Sequence, residues 1–396
     1  MCNSPNLEQY LDLGLMPLSN NLLDDPGEIA PRYPLRVMLC PRCGLSQLSI
    51  VIDPQTLFGH YVYRSSISQS FKDHCREMAH ELAATYQLGP DSFHIDIAGN
   101  DGALLVEFRQ VLHHRTLSVD PAANLAPICE AQGIRAYQAF WGLEAAEHLA
   151  ATGWPRADLI TATNVFAHVD DVKEFLTAVR QTLAPGGVLV LEFPYLLDFI
   201  DKGEFDTVYF EHLSYFSIVP LAYLCIQCGL ELVEVSHQDI HGGSVRCHVQ
   251  HKGQRPQVGV QEFLRREIHG GYADIKTYYA WARKVDKIVV GFNKLLDHLK
   301  GAKIYGFAAS AKGNTLLNVA GVTVKQIPFI VDQTPEKVGK FSPGTGIPII
   351  DLPAMIDDPP EYLVLLAWNF AEEVVAKTRR AGYLGHYIMP LTAQII

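Results

Sequence analysis

Apolar runs that end in polar residues dominate the middle of this chain. One run covers residues 157–163 and stops at Asn164; after a helical pattern and a turn at 185–187, a second run covers 188–194 and carries Glu192 and Tyr195 near its end. Buried parallel strands show this pattern, and ligands bind beyond their carboxyl ends. The sequence Phe-Asp-Thr-Val-Tyr-Phe-Glu-His at 205–212 follows shortly afterwards. We therefore expect a binding site at this edge of a sheet.

The same pattern occurs upstream. An apolar strand at 93–97 leads into the small-residue turn 98–102 and then a helix from about residue 103, and a second strand at 116–119 ends in Asp120. Such a turn lets a ligand approach the backbone and the free amides of the helix, and an acid at the second strand end can bind ribose hydroxyls. Ala98 and Asn100 occupy positions where a dinucleotide-binding turn has glycine. A nucleoside cofactor without phosphate tolerates that difference.

A third occurrence lies near the carboxyl terminus. The strand at 302–306 precedes a small-residue turn and helix at 307–314, the strand at 327–331 ends in Asp332, and a further buried strand follows at 362–367. This order predicts a second Rossmann-like unit, preceded by helices at 258–269 and 272–299 that resemble a connector. Lys312, at the start of the helix, can bind a diphosphate, and Ser310 and Asn314 can contribute to this binding. The alternative is a packing turn with a solvated lysine.

Composition narrows the class of protein. The chain has 396 residues, 48% of them hydrophobic and 19% charged, which fits a globular protein of two or three domains. Its net charge of −11 disfavours a dedicated nucleic-acid binder. No apolar run approaches a membrane span, so we expect a cytoplasmic protein without membrane partners. The eight cysteines are too few for a disulfide scaffold, and Cys225 and Cys228 lie in an apolar, helix-like run at 221–232 that predicts core packing.

The N-terminal cysteines indicate a possible metal site. Cys40-Pro-Arg-Cys43 forms a zinc knuckle pattern, and Cys2 can supply a third ligand, whereas a closed structural zinc site has four. A knuckle without metal is the alternative. The hydroxyl-rich segment 57–70 has neither helix nor strand periodicity and is predicted to be a loop. Its Tyr61, Tyr63 and Ser65 can line a polar pocket, although paired tyrosines are more often packing residues.

Several motifs in this order carry a family resemblance, which spans nearly the whole chain. They occupy residues 96–102, 119–124, 164–169, 205–216, 241–244 and 306–314. The first three resemble class I S-adenosylmethionine-dependent methyltransferases, and the whole set resembles the nucleotide-sugar C-methyltransferases of deoxysugar biosynthesis. The chain departs from the family pattern at three points. The family usually has Glu where Asp96 stands and His where Phe210 stands. It also has four zinc-binding cysteines, of which this chain matches only Cys2, Cys40 and Cys43.

The resemblance implies an α/β protein of three parts. These are a zinc-binding-like N-terminal domain with a cysteine knuckle (1–70), a class I methyltransferase domain with a Rossmann-like sheet (71–252), and a C-terminal Rossmann-like domain that binds the nucleotide sugar (253–396). The implied reaction moves a methyl group from S-adenosylmethionine to a carbon next to the ketone of a dTDP-4-keto-deoxyhexose. Structural zinc is implied only if three cysteines suffice. The oligomeric state is left open.

The expected site residues fall into four groups by role. Catalysis is assigned to Tyr63, Tyr209, Glu211 and His212. Cofactor binding is assigned to Asp96, Ala98, Gly99, Asn100, Gly102, Asp120, Pro121, Asn164 and Val165. Substrate binding is assigned to Tyr61, Ser65, Glu192, Tyr195, His241, Ser310, Lys312, Asn314 and Asp332. Metal binding is assigned to Cys2, Cys40 and Cys43.

The chemistry requires a base, because a carbon beside a ketone becomes nucleophilic only as the enolate. His212 is the candidate, since imidazole titrates near neutral pH. Glu211 would orient the site, and Tyr209 and Tyr63 would donate to the enolate oxygen. His168 is expected to be structural or to face the cofactor. The alternatives are an O- or N-methyltransferase of another small molecule, a binding protein without catalysis, and an NAD-dependent oxidoreductase, which the missing glycine pattern disfavours.

Overall fold

Three sheets, surrounded by helices, make up the fold. The computed structural model describes residues 1–112, 115–240, 242–253 and 258–396. The strands are β1 (Glu8–Pro17), β2 (Arg32–Leu39), β3 (Ser46–Leu48), β4 (His94–Ile97), β5 (Thr116–Val119), β6 (Arg135–Tyr137), β7 (Ala157–Thr163), β8 (Leu183–Pro194), β9 (Ser214–Tyr215), β10 (Leu230–Gln238), β11 (Ser244–His251), β12 (Ile304–Phe307), β13 (Ile330–Val331), β14 (Ile349–Ile350), β15 (Tyr362–Leu365), β16 (His386–Met389) and β17 (Gln394–Ile395).

Helices connect most of these strands. They are α1 (Pro54–Phe58), α2 (Gln69–Thr85), α3 (Ala103–Leu112), α4 (Ala126–Ala131), α5 (Leu143–Ala151), α6 (Val172–Thr182), α7 (Leu196–Lys202), α8 (Ile218–Gln227), α9 (Val258–His269), α10 (Ile275–His298), α11 (Ala311–Val319), α12 (Leu352–Asp357) and α13 (Ala371–Arg380). Short 3₁₀ turns lie at Ser65–Ile67, Phe166–His168, Phe205–Thr207 and Trp368–Phe370. None of the described helices is both long and apolar enough to cross a membrane.

The central sheet has seven strands in the order β10-β11-β8-β7-β4-β5-β6. The five strands from β8 to β6 in this order are parallel, while β11 is antiparallel to both β8 and β10. From β4 the chain moves to β5 and β6 on one side and then returns to β7 on the other. This reversal at β4 and β7 is the topological switch point at which α/β sheets bind ligands.

The C-terminal sheet repeats the arrangement. Its order is β14-β13-β12-β15-β16-β17, with all pairs parallel except β16 with β17. The switch point lies between β12 and β15, as the sequence predicts for a second Rossmann-like unit. The class I methyltransferase fold and a Rossmann-like C-terminal unit are therefore both present, whereas the exact domain boundaries at 70/71 and 252/253 stay predictions.

The N-terminal sheet is antiparallel, with the order β1-β2-β3-β9. Its fourth strand comes from the middle of the chain: Ser46 pairs with Tyr215, and Gln47 pairs with Ser214. Helix α10, interpreted from sequence as part of a connector, packs on this sheet, with the rings of Tyr10 and Tyr278 4.7 Å apart. The prediction of one helix-like run over 221–232 is wrong, because α8 ends at Gln227 and β10 begins three residues later.

Candidate active site

A cleft of about 820 Å³ lies between the two switch points and receives residues from both Rossmann-like units. The carboxyl end of β4 and β7 supplies Ala98 and Asn164, and the carboxyl end of β12 supplies Ala308 and Ser310. The segment 205–212 reaches the same cleft through Tyr209 and His212. Two ligand-binding edges thus face one shared space, which can hold two reactants next to each other.

The turn after β4 has the backbone geometry of a nucleoside site. Ala98 and Asn100 have φ angles of +52° and +53°, a left-handed conformation that few residues other than glycine adopt. The amide of Ala98 donates to the Val119 carbonyl at 2.7 Å, and the amide of Asn100 donates to Asp120 Oδ2 at 3.0 Å. The turn is therefore fixed by the end of β5, and Asp120 lines the cleft beside it.

The turn after β12 has nearly the same geometry. Ala308 has a φ of +76°, and its amide donates to the Val331 carbonyl at 2.7 Å. The amide of Ala309 donates to Asp332 Oδ2 at 2.8 Å. Asp332 therefore takes the place in the second unit that Asp120 takes in the first. The difference lies in a neighbouring charge, since Lys337 Nζ lies 3.6 Å from Asp332 Oδ2, and the pKa of Asp332 is lowered although burial opposes this.

The segment 61–68 covers the turn after β4. Asn100 bonds to it twice, accepting from the Ser65 amide at 3.0 Å and donating to the Tyr63 carbonyl at 3.1 Å. Asn124 does the same for Tyr61, through bonds of 3.0 Å and 2.8 Å to its amide and carbonyl. The segment also contacts the C-terminal unit, where Arg64 forms an ion pair with Glu336. The bonds of Asn100 give its side-chain amide a role in the turn that a glycine could not fill.

His212 has a defined orientation. Its Nδ1 lies 2.9 Å from the Thr207 carbonyl, and its Nε2 lies 2.7 Å from the Tyr209 hydroxyl. A carbonyl only accepts, so Nδ1 carries the proton and Nε2 holds the lone pair of the neutral ring. Burial raises the pKa of Tyr209 well above its usual value, so this phenol remains a donor. The imidazole of His212 thus presents Nε2 to the Tyr209 hydroxyl, and both residues line the cleft.

Two aromatic rings support that imidazole. The ring of His168 stacks on His212 with centroids 5.1 Å apart, and Phe58 stacks on the other side of His168 at 5.4 Å. Burial lowers the pKa of His168 to about 4, so it is neutral at physiological pH and adds no charge beside His212. His168 and Phe58 both line the cleft.

Glu211 lies behind the cleft and is only 1% exposed. Its Oε1 accepts from the Asn20 side-chain amide at 2.8 Å, and among the described residues Oε2 has no hydrogen-bond partner. Burial raises the pKa of Glu211, although the bond from Asn20 opposes this. Asn20 itself lines the cleft. Glu211 therefore contacts the site through Asn20, a residue of the N-terminal segment.

Most of the residues expected from the sequence line this cleft. They are Tyr61, Tyr63, Ser65, Ala98, Asn100, Asp120, Pro121, Asn164, Val165, Tyr209, His212, Ser310, Lys312 and Asp332. His241 lies outside the described residues. The lining also contains residues that sequence reasoning missed, among them Asn20, Phe58, Lys337 and Asn369. Two of these residues had a signal in the sequence. Asn20 lies in the polar run Ser19-Asn20-Asn21, and Asn369 follows Trp368 at a strand end.

Three residues expected to bind the cofactor lie beneath the turn instead. Asp96 is 2% exposed and accepts from Thr161 Oγ1 at 2.6 Å, and burial raises its pKa to about 7. Gly99 faces the sheet, where a Cβ atom would lie 2.6 Å from Ser118 Oγ. Gly102 packs against Ile134 in the same way, at 2.6 Å. These residues shape the turn rather than line the cleft.

Three residues expected to bind the substrate are buried and do not line the cleft. Glu192 is fully buried and is bonded to His74 at 2.6 Å and to Arg246 at 3.0 Å. The Tyr195 hydroxyl donates to Glu267 at 2.8 Å. The Asn314 amide donates to Ser342 and to the Pro343 carbonyl, both at 2.9 Å. In each case a partner distant in sequence holds the side chain inside the fold.

The three N-terminal cysteines lie together. Their Sγ atoms are all within 4.8 Å of one another, and those of Cys2 and Cys40 are 3.5 Å apart. A Zn–S bond of about 2.3 Å brings two coordinating sulfurs to within about 4 Å of each other, so the group fits three corners of a tetrahedral zinc site. The turn between β2 and β3 carries Cys40 and Cys43, and none of the three cysteines lines the cleft, which suits a structural ion.

Three family models match consecutive parts of the chain. A "Putative zinc binding domain" matches residues 1–58, a methyltransferase domain matches 69–235, and a C-methyltransferase C-terminal domain matches 239–391. The C-methyltransferase NovU of Streptomyces niveus is 33% identical over 400 residues, which cover 99% of this chain and 94% of that protein.

Solved structures give weaker similarities, restricted to part of the chain. Magnesium protoporphyrin IX methyltransferase of Synechocystis, solved with bound S-adenosylmethionine, is 9% identical over 45% of this chain and 78% of its own, with a TM-score of 0.34. The CcbJ methyltransferase of Streptomyces caelestis is 12% identical over 45% and 90%, with a TM-score of 0.35. The family is shown instead by the similarity to C-methyltransferase NovU, which extends through all three sheets. The chain therefore belongs to the S-adenosylmethionine-dependent C-methyltransferases.

Proposed function

We propose that this enzyme methylates a carbon next to the ketone of a dTDP-4-keto-deoxyhexose, with His212 as the general base. The observation that carries the proposal is the shared cleft, which is lined by His212, by the turn after β4 and by the turn at the second Rossmann-like switch point. The first turn would bind S-adenosylmethionine through Asn100, Asp120 and the residues around them. The second would bind the nucleotide sugar, a role that the family resemblance of the C-terminal unit supports.

The reaction would begin with proton removal. Tyr209 donates to Nε2 of His212 in the free protein, and a keto oxygen entering the cleft would compete for that hydroxyl. When Tyr209 turns to the keto oxygen, the Nε2 lone pair is released and can take the proton from the adjacent carbon. The electron pair of that C–H bond moves into the carbonyl and forms an enolate, which Tyr209 and Tyr63 stabilise by hydrogen bonds.

Methyl transfer would follow in line. The enolate carbon attacks the methyl group, the C–S bond breaks, and its electron pair stays on sulfur to give neutral S-adenosylhomocysteine. The ketone re-forms, and the imidazolium of His212 returns its proton to water. The protein's main contribution to this step is alignment of the two bound reactants. Tyr61, Ser65, Ser310, Lys312 and Asp332 all line the cleft and would position the sugar nucleotide.

Two measurements test the proposal. The enzyme is incubated with methyl-labelled S-adenosylmethionine and a panel of dTDP-4-keto-6-deoxyhexoses, and the products are analysed by mass spectrometry. The same sugars are then held in D₂O with S-adenosylhomocysteine, which permits enolisation but no transfer. A C-methyltransferase incorporates deuterium next to the ketone, and His212→Asn abolishes both reactions. Methylation of oxygen or nitrogen without any C–H exchange would contradict the proposal.

A further inference from the structure

A cluster of buried and half-buried residues joins the C-terminal unit to the segment that carries His212. We define the coupling cluster as Glu204, Asp206, Lys312, Thr315 and Trp368. The indole Nε1 of Trp368 donates to Asp206 Oδ2 at 2.6 Å, and Asp206 is fully buried. Lys312 Nζ lies 4.6 Å from the centre of the Trp368 ring and 3.9 Å from Glu204 Oε2. Lys312 therefore pairs with the buried carboxylate of Glu204, in addition to lining the cleft.

The cluster leads directly to the base. Asp206 is the middle residue of the 3₁₀ turn Phe205–Thr207, and the last residue of that turn accepts from His212 Nδ1 at 2.9 Å through its carbonyl. One residue further on, the Val208 carbonyl accepts from Thr315 Oγ1 at 3.2 Å. Trp368 and Thr315 both belong to the C-terminal unit. Two bonds from that unit thus reach the residues on either side of Thr207, one to the Asp206 side chain and one to the Val208 backbone.

We propose that Trp368 is a positioning residue for His212. Its indole N–H anchors Asp206, so that the Thr207 carbonyl stays in place to accept from Nδ1 and Nε2 remains the unprotonated, reactive nitrogen. Thr315 supports the same backbone from α11. The C-terminal unit, which holds one side of the cleft, then also sets the tautomer and direction of the base. The proposal rests on the proposed role of His212.

The unusual feature is the location of the anchor. A histidine base is usually oriented by a carboxylate or carbonyl close to it in the fold, and its orientation decides which nitrogen reacts. Here Asp206, the residue before the one that supplies the orienting carbonyl, is bonded to a residue 162 positions away in sequence. Loss of an indole N–H leaves the buried carboxylate of Asp206 without that donor, and a buried acceptor without its partner rearranges or draws in water. The Thr207 carbonyl would move with it.

The test uses the full-length enzyme and three variants. Trp368→Phe keeps an aromatic ring and removes only the N–H donor and ring volume, and Thr315→Val removes the second bond with little change in shape. Trp154→Phe is the control, since Trp154 stacks on Phe93 at 5.3 Å outside the cleft. Each protein is labelled with ¹⁵N-histidine, and the His212 signals are identified by their loss in His212→Asn.

The expected result has two parts. In the parent and in Trp154→Phe, Nε2 of His212 shows the ¹⁵N chemical shift of an unprotonated nitrogen. In Trp368→Phe the two imidazole tautomers mix, and in Thr315→Val the ¹⁵N shift changes in the same direction. With a dTDP-4-keto-6-deoxyhexose as substrate, kcat of Trp368→Phe falls by up to about 100-fold, the effect of a displacement of about 1 Å, while KM and the affinity for S-adenosylhomocysteine hardly change.

Unchanged His212 spectra in both Trp368→Phe and Thr315→Val would overturn the proposal, and so would a loss of kcat without any change in tautomer. If Trp368→Phe does not fold, as judged by its melting temperature against Trp154→Phe, the Thr315→Val spectrum decides alone. The spectra need no substrate. A failure of the keto-sugars to react would therefore count against the proposed function and leave the positioning role to be decided by the imidazole signals.

Discussion

Removal of the Asp120 carboxylate gives the sharpest test of the cofactor site, because the chain contains its own matched control. Asp120 Oδ2 accepts from the Asn100 amide at 3.0 Å and Oδ1 accepts from the Ala122 amide at 2.9 Å. Asp332 makes the equivalent bonds, both of 2.8 Å, with the amides of Ala309 and Thr334. Asp120→Ala and Asp332→Ala therefore remove the same backbone bonds from two turns of the same geometry.

The magnitude follows from the bonds lost. A hydrogen bond to a charged group contributes about 1.5–3 kcal/mol, and about 1.4 kcal/mol corresponds to a factor of ten. If Asp120 holds the ribose of the cofactor, the Kd of S-adenosylhomocysteine should rise about ten- to hundredfold in Asp120→Ala. Asp120→Asn keeps one acceptor oxygen, so its Kd should lie between those of the parent and Asp120→Ala. Asp332→Ala should leave this Kd unchanged, because its turn faces the other side of the cleft.

Isothermal titration of S-adenosylhomocysteine into each variant measures the Kd, and thermal unfolding without ligand shows whether the two turns lose similar stability. The reasoning fails if Asp332→Ala weakens the cofactor as much as Asp120→Ala does, since the two units would then not be divided between cofactor and sugar nucleotide. An unchanged Kd in Asp120→Ala would show that the ribose is held elsewhere.

Three further predictions concern buried charge, pH and metal. Arg246→Met leaves the fully buried Glu192 without its cation and should lower the free energy of unfolding, measured by urea denaturation, by about 3–5 kcal/mol. Asp96 binds a proton more tightly in the folded state, with a pKa of about 7 against an ordinary value of 3.8. Its contribution to stability is therefore present at low pH and is lost by up to about 1.4 kcal/mol per pH unit as the pH rises from about 4 to 7. Asp96→Asn should flatten that part of the plot of stability against pH. Cys43→Ser should lower the zinc content measured by atomic emission and, if the ion is structural, the melting temperature.

Each of these has a clear contrary result. Arg246→Met combined with Glu192→Met should recover most of the lost stability, and a double variant as unstable as the single one would show that charge burial is not the cause. A parallel pH profile for Asp96→Asn would mean that this carboxyl does not titrate between pH 4 and 7. Zinc at equal amounts in Cys43→Ser and the parent would remove that sulfur from the ligand set.

Local signals in the sequence predict the position of the turn that is expected to bind the cofactor. The small residues after β4, Asp120 at the end of β5 and Asn164 at the end of β7 all lie where the order of strands and turns predicts. These features depend on a few neighbouring residues and on the rule that parallel strands present their carboxyl ends together. The second unit, with Asp332 at the end of β13, was found for the same reason.

Side-chain direction was harder, because it depends on partners far along the chain. Glu192 was expected at the rim, but it lies opposite Arg246 in the register of β8 and β11 and is drawn to that guanidinium inside the fold. Asn20 reaches Glu211 across 191 positions, and no pattern around Asn20 indicates this. A strand can be recognised from its own residues, whereas the face on which a polar residue lies is set by pairing.

The strand that the middle of the chain adds to the N-terminal sheet, β9, limits how this enzyme can be recombined. β9 begins two residues after His212, and the Leu48 amide donates to the Leu213 carbonyl at 2.9 Å. A chimera that exchanges only the first 50 or so residues with a relative would import three strands and keep the native fourth, so mismatched strand edges would meet beside His212. Transplants between relatives should therefore carry residues 205–216 together with the amino-terminal sheet.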